Sequence, residues 1–109
     1  MQFCRIYSGA DGQSHFEDLE QDKHAGVFLA ELPAKALVFK NDSNWENLHG
    51  WHNAPRRQWC ITLGGSVEIG VGDGTKRTFR SGDVFLAEDV TGQGHTATPT
   101  GWVRAFIHI

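Results

Sequence analysis

Two histidines far apart in the chain, His52 and His95, and a carboxylate seven residues before the second, Glu88, are the side chains best suited to move protons near neutral pH. Imidazole titrates close to neutrality, and a carboxyl group in a partly buried pocket is pushed up by desolvation. If the fold brings them together they form an acid/base set, with His52 and His95 as the pair and Glu88 as their partner. Glu88 also has a plainer reading, an ion pair with Arg56 or Arg57 at the rim of the fold.

Gln58 opens an apolar run, and side chains two apart on a strand share a face. If Gln58 faces a pocket, Cys60 and Thr62 point the same way, while Trp59, Ile61 and Leu63 point outward. Such an outward apolar row needs cover, which leads us to expect a homodimer. Arg56 shares parity with Gln58 and would orient a carboxylate or phosphate by bidentate hydrogen bonds; a surface ion pair is the alternative. Trp45 and Trp51 lie in the polar stretch from Lys40 to Pro55, where they either roof the pocket or anchor the loop by packing. His49, in the same stretch, reads as a solvated loop histidine. We place Cys60, Gln58, Arg56 and Trp51 among the substrate-contacting candidates.

His52 and Gln58 are six residues apart, roughly 20 Å along a straight strand, so they can meet only if the chain bends between them. Pro55 suits that bend, since it has no ladder donor and a fixed φ. His15 either faces a pocket or stays at the surface. The glycines of Gly72-Asp73-Gly74 and Gly92-Gln93-Gly94 do not lead from a strand into a helix, so neither is a phosphate loop.

The elements that must position these groups read as strands. Thirteen glycines in 109 residues make a turn-rich chain, and its periodic segments alternate with period two. We expect an edge strand at Phe3–Tyr7, a short strand within 14–24, strands at Val27–Leu32 and Ala36–Phe39 about a proline turn, and a strand from Arg57 to Leu63. Further strands follow at Ser66–Val71, Lys76–Arg80, Val84–Ala87, His95–Thr98 and Trp102–Ile109, with Gly64-Gly65 as a turn. Short strands separated by glycine turns give an all-β sandwich or barrel.

The run from His52 through Gln58 to Gly65, then Gly82–Ala87, then Gly92-Gln93-Gly94-His95 resembles the two signature motifs of the cupin superfamily. The resemblance spans about residues 45–100 and implies a jelly-roll barrel, a double-stranded β-helix, with a pocket between its sheets. It also implies a site for one divalent metal (iron, manganese, zinc or nickel) on three histidines and a glutamate. Here His52 falls on the first histidine, Ala54 on the second, Gln58 on the glutamate and His95 on the last histidine. Only two donors of the family's usual set are kept. The chain is similar, too, to short single-domain cupins that carry Ser-His-Phe-Glu-Asp, Trp-His-x-Ala-Pro-Arg-Arg-Gln and Ala-Glu-Asp-x-Thr-Gly-Gln-Gly-His.

Composition sets the remaining bounds. The length suits one domain over 1–109, and the net charge of −3, with no basic stripe, speaks against nucleic acid. No apolar run approaches a membrane span, no signal peptide opens the chain, and two cysteines without a framework suit reduced thiols, so a cytoplasmic location is expected. Three functions remain open at this stage. The first is an acid/base isomerase, epimerase, dehydratase or lyase that needs no cofactor and acts on a small polar substrate. The second is a metal-dependent, oxygenase-like cupin using His52, Gln58 and His95. The third is a small-ligand-binding domain without turnover.

Overall fold

A computed structural model describes residues 1–28, 30–41 and 50–109. Seven strands form one mixed sheet: β1 (Phe3–Ser8), β2 (Ser14–Asp18), β3 (Ala36–Lys40), β4 (Gln58–Gly70), β5 (Lys76–Arg80), β6 (Val84–Glu88) and β7 (Thr96–His108). Their order is β2-β1-β6-β4-β7-β3, with β5 paired to β4. All pairs are antiparallel except β1 with β6. The described residues contain no helix, so none is long and apolar enough to cross a membrane.

β1 is not the edge strand its position in the chain suggests. It lies between β2 and β6, and its alternating Cys4 and Ile6 are wholly buried on the inner face. The stretch at 27–28 and 30–32 does not form a strand either. Val27 and Phe28 instead donate their backbone N–H groups to the carbonyl of His24 in a turn, and their side chains pack on the outer face of the sheet.

The expected turn at Gly64-Gly65 is a bend inside one long strand. β4 runs unbroken from Gln58 to Gly70, with register shifts against β7 between Thr62 and Gly64 and between Gly64 and Ser66. The shifts change which parity faces inward. Before the bend the even residues Gln58, Cys60 and Thr62 are buried inside; after it the odd residues Val67, Ile69 and Val71 fill the same core. An irregularity that changes the count by one residue has this effect, because side-chain period in a strand is two. Gly65 has φ 63°, and a β-carbon there would overlap the backbone of Gly101 in β7. β7 bends opposite it and is likewise continuous from Thr96 to His108 instead of two strands.

The fold therefore has two apolar layers. The inner one gathers Cys4, Ile6, Cys60, Val67, Ile69, Phe79, Phe85 and Trp102. The outer one holds Leu19, Trp59, Val84 and Leu86, with Phe3, Val27, Phe28 and Ile61 against them. Phe3 centres the aromatic contacts of this layer, 5.0 Å from the Phe28 ring and 5.7 Å from Trp59. The chain's own segment thus covers Trp59, the residue whose outward position suggested a second subunit. Each large apolar side chain buried this way contributes about 1.5–3 kcal/mol. Leu63, the last of the outward row, stays exposed.

Cys4 and Cys60 both register against Phe85, on either side of β6. Two strand spacings put their backbones about 10 Å apart, beyond disulfide reach. Burial pushes the Cys4 thiol up to about 12 and raises that of Cys60 as well. Both are inert core thiols.

Candidate functional site

A cavity of about 360 Å³ opens at one end of the inner layer. Its floor is apolar, from Ile69, Phe85, Ala97, Trp102 and Phe106, and its polar wall includes His52, Gln58, Arg56, His95 and Arg104. The chain between His52 and Gln58 does bend: Ala54 donates its N–H to the Asp89 carbonyl, Gln58 starts β4, and both ends of the segment line the one cavity.

His52 and His95 face each other as an isolated antiparallel bridge. Each backbone N–H donates to the other's carbonyl, at 3.0 and 2.8 Å, and the ring centroids are 4.6 Å apart. The bridge exists because residue 94 is glycine. Gly94 has φ 79°, and a β-carbon there would overlap the carbonyl of His52, so no other residue type fits without parting the two segments.

Both rings have their Nδ1 occupied by acceptors. His95 Nδ1 lies 2.5 Å from Oδ2 of Asp89, and His52 Nδ1 lies 2.8 Å from the Gly50 carbonyl. A carboxylate and a carbonyl accept only, so Nδ1 is the protonated nitrogen in each neutral ring and Nε2 carries the lone pair. Asp89 is fully buried, and its other oxygen, Oδ1, has no hydrogen-bond partner among the described residues. Leaving such an oxygen unsatisfied costs about 1–3 kcal/mol.

The carboxylate at the site is therefore Asp89 and not Glu88. Glu88 points to the other side of β6, where Oε2 accepts from Arg57 at 2.6 and 2.9 Å and Oε1 lies 3.5 Å from Arg5. Strand parity explains the exchange. Val84 and Leu86 belong to the outer layer, and Phe85 and Ala87 to the inner one. Glu88 continues the first series and Asp89 the second. The signal that marks Asp89 in the sequence is the alternation of Val84–Glu88 carried one residue past the strand end. Asn53 is a second residue missed: its Nδ2 lies within 3.2 Å of the carbonyls of Asp89, Thr91 and Gly92, and so fixes the loop that carries Asp89. Ser14 adds a brace from β2, donating to the Gly94 carbonyl at 2.7 Å.

The other sequence candidates separate clearly. Gln58 is buried at the cavity wall, and Arg56 lines its mouth with Nη1 3.4 Å from His108 Nδ1. Cys60 is wholly buried in the inner core and does not line the cavity, nor does Trp51, which is exposed. His15 sits away from the cavity between Asp11 and Asp73, which raise its pKa, the Asp11 hydrogen bond most of all. Trp45 and His49 lie outside the described residues.

Among the described residues the donors at the cavity do not complete a cage for a first-row metal. Two imidazoles and the neutral amide of Gln58 meet at the cavity, and no cluster of three ligating His, Cys, Asp or Glu side chains occurs among the described residues. No protein family, curated protein or solved structure matches the chain.

Proposed function

We propose that the chain is a cupin-like β-barrel enzyme that moves a proton next to a carbonyl group in a small molecule, the chemistry of an isomerase, epimerase, dehydratase or lyase. The observation that carries this reading is the buried Asp89 carboxylate on His95 Nδ1, with the His52 ring 4.6 Å away at the same cavity. Asp89 orients the His95 ring and supplies a countercharge to an imidazolium formed there during turnover. Nε2 of neutral His95 removes a proton from the carbon beside the carbonyl, and the C–H electron pair becomes the C=C bond of an enol. The carbonyl oxygen takes a proton from Nε2 of His52 in its imidazolium form. Each such group contributes about 10²–10⁴-fold to a proton transfer. Gln58 donates a hydrogen bond to the substrate from the cavity wall.

The test is deuterium uptake from heavy water at the carbon beside the carbonyl, followed by NMR over a panel of small ketones, keto acids and sugars. Wild type is expected to catalyse exchange in at least one class, with His95→Gln lowering the rate about a hundredfold or more. Exchange unchanged in His95→Gln would remove the assignment.

The same reading includes a cytoplasmic homodimer. Its support is β3, which ends the sheet order and exposes Leu37 and Phe39. An apolar edge strand is a ready surface for a second copy.

A further inference from the structure

We propose that His15 is a remote positioning residue for the imidazole pair: in its protonated form it clamps the turn at 9–13 to the hairpin at 71–75, and that clamp holds the loop at 91–94 that leads into His95. This inference rests on the acid/base reading of His52 and His95 and adds a regulation of the same site. His15 of β2 lies between two carboxylates, with Nε2 3.0 and 3.1 Å from the oxygens of Asp11 and Nδ1 3.3 Å from Oδ2 of Asp73. Carboxylates accept only and a neutral imidazole has one N–H, so only the imidazolium donates to both. When the ring loses its proton, one carboxylate faces a lone pair and no cation stands between the two anions. The other groups facing the ring are Tyr7 of β1, in register with it at 5.6 Å between ring centroids, and the backbone of Gly9. Arg5 stacks on that tyrosine at 4.2 Å. The pKa of His15 is raised, first by the Asp11 hydrogen bond, in keeping with this geometry.

Each carboxylate belongs to a well-made turn. Asp11 Oδ1 also accepts from the N–H of Gln13 at 3.0 Å, and Asp73 Oδ1 accepts from the hydroxyl and N–H of Thr75 at 2.6 and 2.9 Å. From these turns, contacts run to the loop of the imidazole pair. The Gly12 carbonyl accepts from the N–H of Gln93 at 3.1 Å and sits where a β-carbon on Gly92, at φ 71°, would overlap it. Buried Ser14, the neighbour of His15, accepts from the Gly72 N–H at 2.9 Å and donates to the Gly94 carbonyl at 2.7 Å. One hydroxyl thus ties the hairpin to the glycine on which the His52–His95 bridge depends. His15, Asp11 and Asp73 do not line the cavity, so the clamp acts by placing the loop and not by touching a substrate. Ion pairs this exposed shift an equilibrium by only about two- to fivefold, which tunes the loop without deciding the fold.

The experiment measures amide hydrogen exchange in the whole protein from about pH 6 to about pH 9, each rate divided by the intrinsic rate at that pH. The reporters are the N–H groups of Gln93, which donates to Gly12, and of His95, which donates to His52; Leu19 and Val84 of the outer layer serve as references. Protection of the two reporters relative to the references is expected to fall about two- to fivefold as pH rises through the pKa of His15. His15→Gln, which does not titrate, is expected to show the lower value at every pH, and His15→Lys, which keeps the cation, the higher one. Asp73→Asn is expected to lower the pKa of the His15 ring, read from its Hε1 resonance. A flat wild-type profile, a fall shared equally by the references, a wild-type profile in His15→Gln, or His15→Lys no better protected than His15→Gln would overturn the proposal. The measurement needs no substrate, so the two readings fail separately. A flat profile rejects the clamp and spares the acid/base pair, while pH-dependent protection without turnover of any carbonyl compound does the reverse.

Discussion

Asp89 Oδ2 lies 2.5 Å from Nδ1 of His95, with the carboxylate wholly buried behind the ring and the ring at the wall of the cavity. Nothing else among the described residues so closely joins a buried charge to a titratable group at a cavity wall. Replacing Asp89 with Asn keeps the shape and turns an acceptor-only partner into one that also donates. We expect Asp89→Asn to unfold within about 2 kcal/mol of wild type, since it removes a buried charge while one polar atom still occupies the unpartnered position. Its His95 ring is expected to lose the single Nδ1–H tautomer, which 15N imidazole spectra report directly. An unchanged tautomer would show that the ring is held by something other than Asp89.

The bridge between the two histidines depends on residue 94. Gly94→Ala brings both a strained φ, costing about 1–2 kcal/mol, and an overlap with the His52 carbonyl. We expect a loss of about 2–4 kcal/mol in urea unfolding, with the His52 and His95 resonances displaced and those of the outer layer in place. A variant as stable as wild type would mean that the bridge contributes nothing.

Asp83 and His15 act on the pH dependence of stability in opposite directions. Burial works to raise the Asp83 pKa, but the backbone N–H groups of Arg80 and Gln2, at 2.8 and 2.7 Å, outweigh it and hold the carboxyl below its usual range. Its contribution is complete above the unfolded pKa and fades as pH falls through the folded one. For His15 the pKa is raised, by the Asp11 hydrogen bond first and by Asp73 as well. Its contribution is complete below the unfolded pKa and fades as pH rises through the folded one. Asp83→Ala is therefore expected to cost about 2 kcal/mol near neutrality and less in acid. His15→Gln is expected to flatten the stability profile between about pH 6 and 8. Parallel profiles for wild type and both variants would contradict these assignments.

How far the sequence revealed this arrangement depended on whether parity survived along the strand. From Gln58 to Leu63 the alternation held, and each side chain lies on the side that its position predicts: Gln58, Cys60 and Thr62 inside, Trp59 and Ile61 in the outer layer, Leu63 exposed. It failed at Gly64-Gly65, because a glycine pair marks a bend inside a strand as readily as the end of one. The meeting of His52 with His95 was expected only from the resemblance of the motifs around them. Asp89 was legible only by carrying the alternation of β6 one residue past its end, since a lone carboxylate there has no composition signal.

Self-association gives a further check. If the exposed edge of β3 joins two copies, Phe39→Lys is expected to halve the mass seen by light scattering while thermal unfolding of the subunit is retained. A wild-type protein that is monomeric at high concentration would rule out the dimer, and the buried Trp59 would then need no partner beyond Phe3 and Phe28.

The most direct test of the central claim compares deuterium exchange in His52→Gln, His95→Gln and the double variant, on whichever carbonyl compound wild type turns over. If the two imidazoles act as one proton-transfer pair, either single change lowers the rate about as far as both together, by about a hundredfold or more. Losses that simply multiply, or a single variant that exchanges at the wild-type rate, would contradict the account.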